Sequence, residues 1–391
     1  MNGTDSLRPQ IDRVQSRALI VGILAMLVCV LGAFSHGTQF YHSYLIAFLF
    51  WLGIALGCAA VLMLHHLVGG GWGLVIRGFL ESGTRTIPLM ALLMVPLIFG
   101  LPRLYSWTHT APSTPNSLLH FRQTYLSVPF FIIRACLYFA VWIALAYFLN
   151  RRSSEAGSTD DGGALRRLRK LSGPGIALYG LTATFAATDW VMSLEPEWYS
   201  TAYGLLFIVG EVLTALAFVI GTAMLLAHRE PLVTVISRQR LIDLGNLILT
   251  FVMLWAYISF AQFLIIWSGN LPEEISWYRI HFRGGWMAIV IALLLFHFAL
   301  PFFLLLFRNM KSKARALALI AGAILLVRLA DLWWIVTPTF HPGVRLHWMD
   351  VLAPVGIGGI WVAIFLRQLK GRPLVPAQAD LDNMASISEG D

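Results

Sequence analysis

The sequence predicts an all-α polytopic membrane protein with about ten transmembrane helices, and three observations lead to this fold class. Hydrophobic residues make up 58% of the chain and charged residues only 12%, whereas ordinary soluble domains carry about 25% charged residues. The apolar residues gather into runs of about 20 or more, the length that a helix needs to cross ~30 Å of hydrocarbon. The basic residues fall between these runs, so the net charge of +8 does not indicate a nucleic-acid partner.

The predicted helices follow the apolar runs in order along the chain. The least regular of these runs are 84–105, which contains Pro88, Pro96 and Pro102, and 314–336, which contains Arg328 and Asp331. The ten predicted spans are 17–35, 42–66, 84–105, 125–150, 175–194, 202–227, 241–267, 285–307, 314–336 and 348–370.

The distribution of Lys and Arg predicts the orientation of these helices. Most of the 28 basic residues lie on one side of the predicted spans, and the loops of the other side hold only Arg103, Arg122, Arg279, Arg283 and Arg345. By the positive-inside rule, the N-terminus and the C-terminus are then both cytoplasmic. The first helix is too long for the apolar part of a signal peptide, so we expect it to be retained.

The same pattern divides the chain into five segments. Residues 1–16 form a cytoplasmic N-terminal segment, and residues 17–150 carry helices 1–4. A polar, Gly/Ser-rich cytoplasmic linker follows over 151–174. Residues 175–370 carry helices 5–10, and residues 371–391 form an acidic tail that we expect to be disordered in the cytoplasm.

A faint internal repeat predicts how the helices are grouped. Helices 2 and 6 open on similar strings, FYHSYLIAFLFWLG and WYSTAYGLLFIVGE, and helices 4 and 8 end on AYFLNRR and LLLFRNM. We therefore expect two parallel-related four-helix bundles, helices 2–5 and helices 6–9, with helices 1 and 10 flanking them. Parallel repeats of this kind occur in transport folds, where sites lie near the repeat interface.

Charged and polar residues inside the apolar runs are the candidate functional residues. An ionised group near the bilayer centre costs about 2.5–3.5 kcal/mol on insertion scales, so several of them in one chain indicate proton or ion movement or a polar ligand. The alternative is that they are pairs that hold helices together. The candidates for a proton path are Asp189, Glu211, Asp243, Asn246, Thr250, Tyr257, His297, Arg328 and Asp331, and Arg134 is expected to be a structural charge.

The polar residues of helix 7 share one face. Asp243, Asn246, Thr250 and Tyr257 are spaced by three, four and seven residues, which places them along one side of a helix. This stripe could line a water-filled half-channel from the cytoplasm. It could equally be polar glue between two helices, a common use of such side chains in membranes.

The remaining candidates are expected to lie deeper or nearer the outer surface. Glu211 and His297 fall near the middle of helices 6 and 8, where burial can bring an acid and an imidazole into use as relay groups. A lone buried histidine is, however, more often a hydrogen-bonded core residue. Arg328 and Asp331, three residues apart on helix 9, can pair with each other, and Asp189 lies in the outer half of helix 5.

Redox ligands show no recognisable pattern in the sequence. The three cysteines each lie inside an apolar run, and neither C-x-x-C nor C-x-x-C-H occurs, so iron–sulfur ligation and covalent haem attachment are not indicated. We expect no cofactor and no metal to be bound by this chain.

Four strings resemble a known family. FLFWLGIALGCAAVLMLHHLVGGGWG, ESGTRTIPLMALL, TDWVMSLEPEWYSTAYG and DLGNLILTFVMLWAYISFAQFLIIWSGNLPEE resemble the ActF-type integral membrane subunit of bacterial alternative complex III, which is related to the NrfD-like polysulfide-reductase membrane family. The resemblance spans nearly all ten helices. It implies a subunit of a quinol:electron-acceptor oxidoreductase in the bacterial inner membrane, with quinol, iron–sulfur clusters and haem c in the parent complex.

The resemblance also implies partners and a role. The partners would be a paralogous quinol-binding NrfD-like subunit, an iron–sulfur protein and c-type cytochrome subunits, together with membrane lipid. The chain itself would provide a proton path. Its inner half would use Asp243, Asn246, Thr250 and Tyr257, its outer half would use Asp189, Arg328 and Asp331, and Glu211 and His297 would lie between the two.

Two other functions fit the same residues. One is a secondary transporter with a buried carboxylate site, which would have broken helices around its substrate. The other is a subunit that itself binds quinol near the outer face, beside Asp189 and the histidines of the outer loops.

Overall fold

The protein is an all-α, multi-pass membrane protein. The computed structural model describes residues 8–109, 124–156 and 162–371, and all regular structure in these ranges is helical. Nine helices within the described ranges are long and apolar enough to cross a membrane. The all-α, multi-pass class predicted from the sequence is thereby confirmed. Residues 1–7 of the predicted N-terminal segment, residues 157–161 of the predicted linker and the predicted tail from residue 372 onward lie outside the described residues.

The long helices are numbered α1 to α10 in chain order. They are α1 Arg8–Ala33, α2 Gly37–Val68, α3 Trp72–Thr84, α4 Val128–Ala156, α5 Gly162–Trp190, α6 Tyr203–Leu225, α7 Arg238–Gly269, α8 Trp286–Leu306, α9 Ala314–Val336 and α10 Trp348–Lys370. Nine of the ten spans predicted from the sequence correspond to helices that are long and apolar enough to cross a membrane. The exception is α5, whose first half is basic and which contains Pro174. Both α4 and α5 extend into the stretch predicted as a linker.

Proline divides the polypeptide that follows α3 into short helices. These are Ile87–Leu93, Val95–Phe99 and Leu101–Leu104, and each has a proline within its first two residues. Proline lacks an N–H, and its ring clashes with the carbonyl four residues earlier, so a helix ends before it and a new one begins. The interruptions expected from Pro88, Pro96 and Pro102 are therefore present.

Two helices, α2 and α6, form the centre of the molecule. In the most apolar stretch of α2, 94% of the residues are buried inside the protein. This helix contacts α3, α5, α6, α9 and α10. In turn, α6 contacts α5, α7 and α9. The α2–α6 contact is very close at Gly57, where an added Cβ would lie only 2.2 Å from the backbone oxygen of Glu211. Small residues of this kind let two membrane helices approach each other.

The helix contacts include two closed circuits of four helices, and further contacts join one circuit to the other. In the first, α2 contacts α3, the short helix Ile87–Leu93 after α3 contacts α4, α4 contacts α5, and α5 returns to α2. In the second, α6 contacts α7, α7 contacts α8, α8 contacts α9, and α9 returns to α6. Helix α1 packs mainly against α10 and exposes the rest of its surface.

Candidate functional site

A buried ion pair lies inside the second circuit of helices. Arg328 and Asp331 are one turn apart on α9, which places them on the same face, and Arg328 Nη1 donates a hydrogen bond to Asp331 Oδ2. Each residue is only 2% exposed. Gly210 of α6 makes room for the guanidinium, because an added Cβ there would lie 2.2 Å from Nη2 of Arg328. The Nε of Arg328 has no hydrogen-bond partner among the described residues.

Glu211 lies where three helices meet. It follows Gly210 on α6, and its Oε2 accepts a hydrogen bond of 2.6 Å from the hydroxyl of Tyr179 on α5. On its α2 side, an added Cβ at Gly53 would lie 3.4 Å from Glu211 Cγ. Glu211 is partly buried, and the charge of Arg328 is close enough to act on it. The carboxylate is therefore held by one tyrosine and lies beside a buried cation.

His297 is fully buried, and in the part of the chain that the structure describes neither of its ring nitrogens has a hydrogen-bond partner. Its ring contacts the indole of Trp255 on α7, with 4.1 Å between the centroids. Trp255 in turn lies beside Asp331, and the charge of Arg328 also acts on His297. The histidine of α8 is thus part of the same group of residues as the ion pair of α9.

The backbone around His297 is a π-helix over Leu294–Ala299. Its cause is visible in the sequence: Pro301 cannot donate a hydrogen bond, and its ring would clash with the carbonyl of His297, four residues earlier. The helix widens, and the N–H of Leu300 bonds to the oxygen of Leu295 instead of that of Phe296. Single π-turns of this kind inside α-helices are frequent at functional sites.

These residues together form what we call the central cluster. Four of the residues predicted from sequence belong to it, together with two aromatic residues that were not predicted and that contact them. The central cluster consists of Tyr179, Glu211, Trp255, His297, Arg328 and Asp331.

A second buried ion pair, Arg134–Asp189, lies in the first circuit. Arg134 of α4 donates from Nε and Nη2 to the two oxygens of Asp189 at 2.7 and 2.9 Å, and its Nη1 donates to the backbone oxygen of Tyr125. The hydroxyl of Tyr138 donates to Asp189 as well, at 2.7 Å. A two-bond contact between arginine and a carboxylate is strong and fixed in geometry. Asp189 is therefore bound on every side by fixed donors.

The polar residues of α7 lie elsewhere. Asn246 and Thr250 are exposed, and Tyr257 is 69% exposed. Asp243 accepts a hydrogen bond from Gln239 at 2.9 Å, Asn246 Oδ1 accepts one from Lys311 Nζ at 2.5 Å, and the hydroxyl of Thr250 donates to the backbone oxygen of Asn246 at 2.9 Å. These side chains share one face, as predicted, but that face is on the outside of the chain and away from the central cluster. Within the described residues, they do not face a space between the helices.

A polar network that was not predicted from the sequence lies near the C-terminal ends of α3 and α4. Glu81 is 6% exposed. It accepts a hydrogen bond from Arg77 at 3.1 Å and one from Ser153, and Arg77 also donates to Ser153 at 2.8 Å. The signal was present, because Arg77 and Glu81 are four residues apart, but the predicted span began at residue 84 and so excluded them.

A further network that was not predicted lies at the N-terminal ends of α2 and α10. Asp350 accepts hydrogen bonds from Ser43 at 2.5 Å, from Gln39 at 3.0 Å and from the backbone N–H of His347 at 2.9 Å. The last of these caps α10, together with a bond from Met349 N–H to His347. Asp350 therefore fixes the first turn of α10 against α2.

The described residues contain no group of three or more His, Cys, Asp or Glu side chains that could hold a metal ion. The chain matches no protein-family model, and no curated protein matches it. Its function therefore has to be inferred from its own residues.

Proposed function

We propose that the chain is a cofactor-free membrane subunit of a quinol-oxidising respiratory or photosynthetic electron-transfer complex, and that it provides a path for protons. The observation that carries this proposal is the central cluster. It combines a carboxylate, an ion pair and an imidazole inside the helices. The resemblance of the four strings to the ActF-type subunit of alternative complex III supplies the kind of assembly.

The chemistry of the central cluster suits proton transfer. Glu211 can hold a proton, and the hydroxyl of Tyr179, which donates to it, can also accept one. Arg328 Nε and the two nitrogens of His297 lack protein partners, and each such buried group costs about 1–3 kcal/mol if it stays unpaired. Buried water normally satisfies groups of this kind. Water at these atoms would connect Glu211 to His297.

The ion pair gives the path a means of control. Arg328 is bound to Asp331 by one donor and also acts on Glu211. A shift of its guanidinium from Asp331 toward Glu211 would change which carboxylate is stabilised as an anion. In the proposed complex, quinol oxidation in a neighbouring subunit would bias this shift, and the proton would leave toward the outer side.

The finer architecture is part of the same proposal. We place α5 across the membrane as the tenth span, and we group α2–α5 and α6–α9 into two four-helix bundles flanked by α1 and α10. The two closed circuits of contacts support the grouping. The excess of Lys and Arg on one side supports cytoplasmic termini, and the resemblance supports the bacterial inner membrane.

The first test of the proposal is purification. The chain would be tagged at its C-terminus, extracted in a mild detergent, and assayed for haem and iron while co-eluting chains are identified. We expect c-type cytochrome subunits, an iron–sulfur protein and a paralogous membrane subunit in fixed ratio. A homogeneous chain without iron and without partners would overturn the assignment to an electron-transfer complex.

The proton path has its own test. Glu211→Gln and Asp331→Asn each remove one titratable carboxyl from the central cluster without a change in size. In reconstituted complexes we expect both variants to lose proton translocation while quinol oxidation continues. Glu273→Gln, the same chemical change at an exposed residue of the short helix Pro272–His281, is the matched control. Unchanged proton translocation in both cluster variants would refute the path.

A secondary transporter is the second candidate, and one observation favours it. Transporters place substrate sites at discontinuous helices, and α8 changes to a π-helix at His297 while the chain after α3 is broken into short helices. In that case Glu211 and Asp331 would be substrate-site residues. The purification described above separates the two candidates, because a transporter would be isolated without haem or iron.

A further inference from the structure

The polar residues of α7 face away from the central cluster, so the proposed proton path needs another entrance. Buried polar side chains lie near the C-terminal ends of α2, α3 and α4 and in the first half of α5. We call this group the Glu81 network, and each of its members is at most 6% exposed: His65, His66, Glu81, Asn150, Ser153 and Ser172. All four helices of the first circuit contribute to it.

Hydrogen bonds join α3 to α4 within the Glu81 network. The Glu81 carboxylate accepts from Arg77 Nε at 3.1 Å and from the hydroxyl of Ser153. One turn deeper on α4, the amide of Asn150 donates to Thr84 Oγ1 at 2.7 Å. The hydroxyl of Thr84 donates to the backbone oxygen of Glu81 at 2.8 Å. The carboxylate thus lies among groups that can pass on or receive a proton.

Two buried imidazoles of α2 extend the network toward α5. His66 Nδ1 lies 3.1 Å from Oγ of Ser172, whereas His66 Nε2 and His65 Nδ1 have no hydrogen-bond partner in the described part of the chain. Gly73 makes room for the ring of His65, because an added Cβ there would lie 2.0 Å from its Cε1. An unpaired buried group costs about 1–3 kcal/mol, and buried water normally satisfies such groups. These nitrogens therefore indicate water inside the network.

Helix α5 connects the Glu81 network to the central cluster. Ser172 and Tyr179 are seven residues apart, which places them on the same face of α5 and about 10 Å apart along its axis. Ser172 contacts His66 at one end of this face. At the other end, the hydroxyl of Tyr179 donates to Glu211.

The packing against α2 places Glu81 close to the depth of Glu211. An added Cβ at Gly83 would lie 2.5 Å from Sγ of Cys58, and an added Cβ at Gly57 would lie 2.2 Å from the backbone oxygen of Glu211. Gly83 and Glu211 therefore contact neighbouring residues of α2. Glu81 precedes Gly83 by two residues, which is about 3 Å along a helix axis.

We propose that the Glu81 network takes up protons from the cytoplasm and passes them to Glu211, with Glu81 as the first carboxylate to hold them. A proton from water binds to the Glu81 carboxylate and moves on through water. His66 accepts a proton at Nε2 and releases one from Nδ1 to Ser172, which releases its own. Tyr179 gives its hydroxyl proton to Glu211 and takes another from water, so it remains a neutral phenol. The inference rests on the proposed function for the proton path and for the cytoplasmic position of the termini.

Cysteine labelling tests for water in the network. In full complexes whose three native cysteines are replaced by alanine, Ser172→Cys would be compared with Ser82→Cys. Both serines are 0% exposed, but Ser82 donates to the backbone of its own helix, to Gly78 O at 2.7 Å. A membrane-impermeant methanethiosulfonate would be added to inverted vesicles, which expose the cytoplasmic face. We expect Ser172→Cys to be modified and Ser82→Cys to stay unmodified. An unreactive Ser172→Cys, or equal reaction of both variants, would overturn the inference.

Two substitutions of Glu81 separate proton uptake from a structural role. Glu81→Gln keeps the length of the side chain and its hydrogen-bond acceptor but cannot hold a proton, whereas Glu81→Asp keeps the carboxyl and is one methylene shorter. In reconstituted complexes that oxidise quinol, we expect Glu81→Gln to lose proton translocation and Glu81→Asp to retain it. A structural role would give the opposite order, because the shorter side chain would break the contacts with Arg77 and Ser153.

The results also separate this inference from the proposed function. If Glu211→Gln stops proton translocation and Glu81→Gln does not, the entrance is wrong and the proposed function stands. If the chain is isolated without haem and iron but Ser172→Cys still reacts from the cytoplasmic side, the water-filled network stands and the proposed function fails.

Discussion

The close contact between α2 and α6 can be tested with two glycines that lie one helical turn apart. An added Cβ at Gly57 would lie 2.2 Å from the backbone oxygen of Glu211 and 2.7 Å from Cβ of Ala215. An added Cβ at Gly53 would lie 3.4 Å from Cγ of Glu211 and further from the other atoms around it. Gly57→Ala should therefore push the two central helices apart, and Gly53→Ala should fit.

The magnitude follows from these distances. To bring a 2.2 Å approach to an ordinary contact, α6 must move by about 1 Å, because its backbone oxygen cannot rotate away as a side chain can. Overpacking of this kind costs about 1–3 kcal/mol of stability. Because the neighbouring atom belongs to the rigid backbone, we expect the overpacking in Gly57→Ala to cost about 3 kcal/mol. Alanine regains about 1 kcal/mol of helix propensity over glycine. The net loss of stability at Gly57 is about 2 kcal/mol, whereas Gly53→Ala should be neutral or stabilising by up to about 1 kcal/mol.

Thermal unfolding of the purified protein in detergent, at one scan rate for all variants, would measure this difference. We expect Gly57→Ala to melt several degrees below the unmodified protein and Gly53→Ala to melt at or above it. Gly57→Ala should also impair proton translocation, because it displaces the backbone of Glu211. Equal melting temperatures for the two variants, or a lower one for Gly53→Ala, would show that the helices are not packed as closely as described.

Two further predictions concern single residues. Burial lowers the pKa of His281, outside the membrane spans, from 6.5 to about 4, so the unfolded chain takes up the proton first. The neutral form of His281 should therefore contribute up to about 3 kcal/mol to the free energy of unfolding above pH 6.5, and this contribution should be lost as the pH falls toward 4. Melting temperatures measured between pH 6.5 and pH 4 should fall less in His281→Gln than in the unmodified protein. Tyr179→Phe removes the donor to Glu211, and we expect reconstituted complexes to translocate fewer protons per quinol oxidised. An unchanged ratio would exclude a role for the Tyr179 hydroxyl.

The fold class could be predicted from sequence because membrane physics leaves few alternatives. An apolar run of about 20 residues has to form a helix to satisfy its backbone in lipid, and nine such helices are present within the described residues. The boundaries were less accurate. Glu81 was excluded from the third span because it was read as part of a loop, whereas α3 begins at Trp72 and buries Glu81 in its last turn.

The direction in which a helix face points could not be predicted. The spacing of Asn246, Thr250 and Tyr257 places them on one face, and the structure has them so. In a soluble protein, a polar face would be assigned to solvent. In a membrane, the outside is as apolar as the interior, so the same pattern is compatible with a channel lining and with a contact to another helix. Only the packing of α7 against its neighbours distinguishes the two.

The hydrogen bonds of the two buried ion pairs explain why we propose a role in proton transfer for Arg328–Asp331 and a structural role for Arg134–Asp189. Arg134 donates two hydrogen bonds to Asp189 and a third to Tyr125 O, and Tyr138 binds the same carboxylate. All three guanidinium nitrogens of Arg134 therefore donate hydrogen bonds, which fix the pair in one geometry. Arg328 donates one hydrogen bond to Asp331. Its Nε has no hydrogen-bond partner among the described residues, and the two ring nitrogens of His297 have none there either.

This contrast leads to opposite expectations for the paired apolar replacements. Buried ion pairs replaced by apolar residues of similar size often leave stability unchanged or improved. We therefore expect Arg134→Met with Asp189→Leu to keep both quinol oxidation and proton translocation in reconstituted complexes. Arg328→Met with Asp331→Leu should assemble equally well and retain quinol oxidation but lose proton translocation, because the charge that acts on Glu211 is gone. If the first replacement abolished translocation and the second did not, the assignments would have to be exchanged, and the path would run through the first circuit of helices.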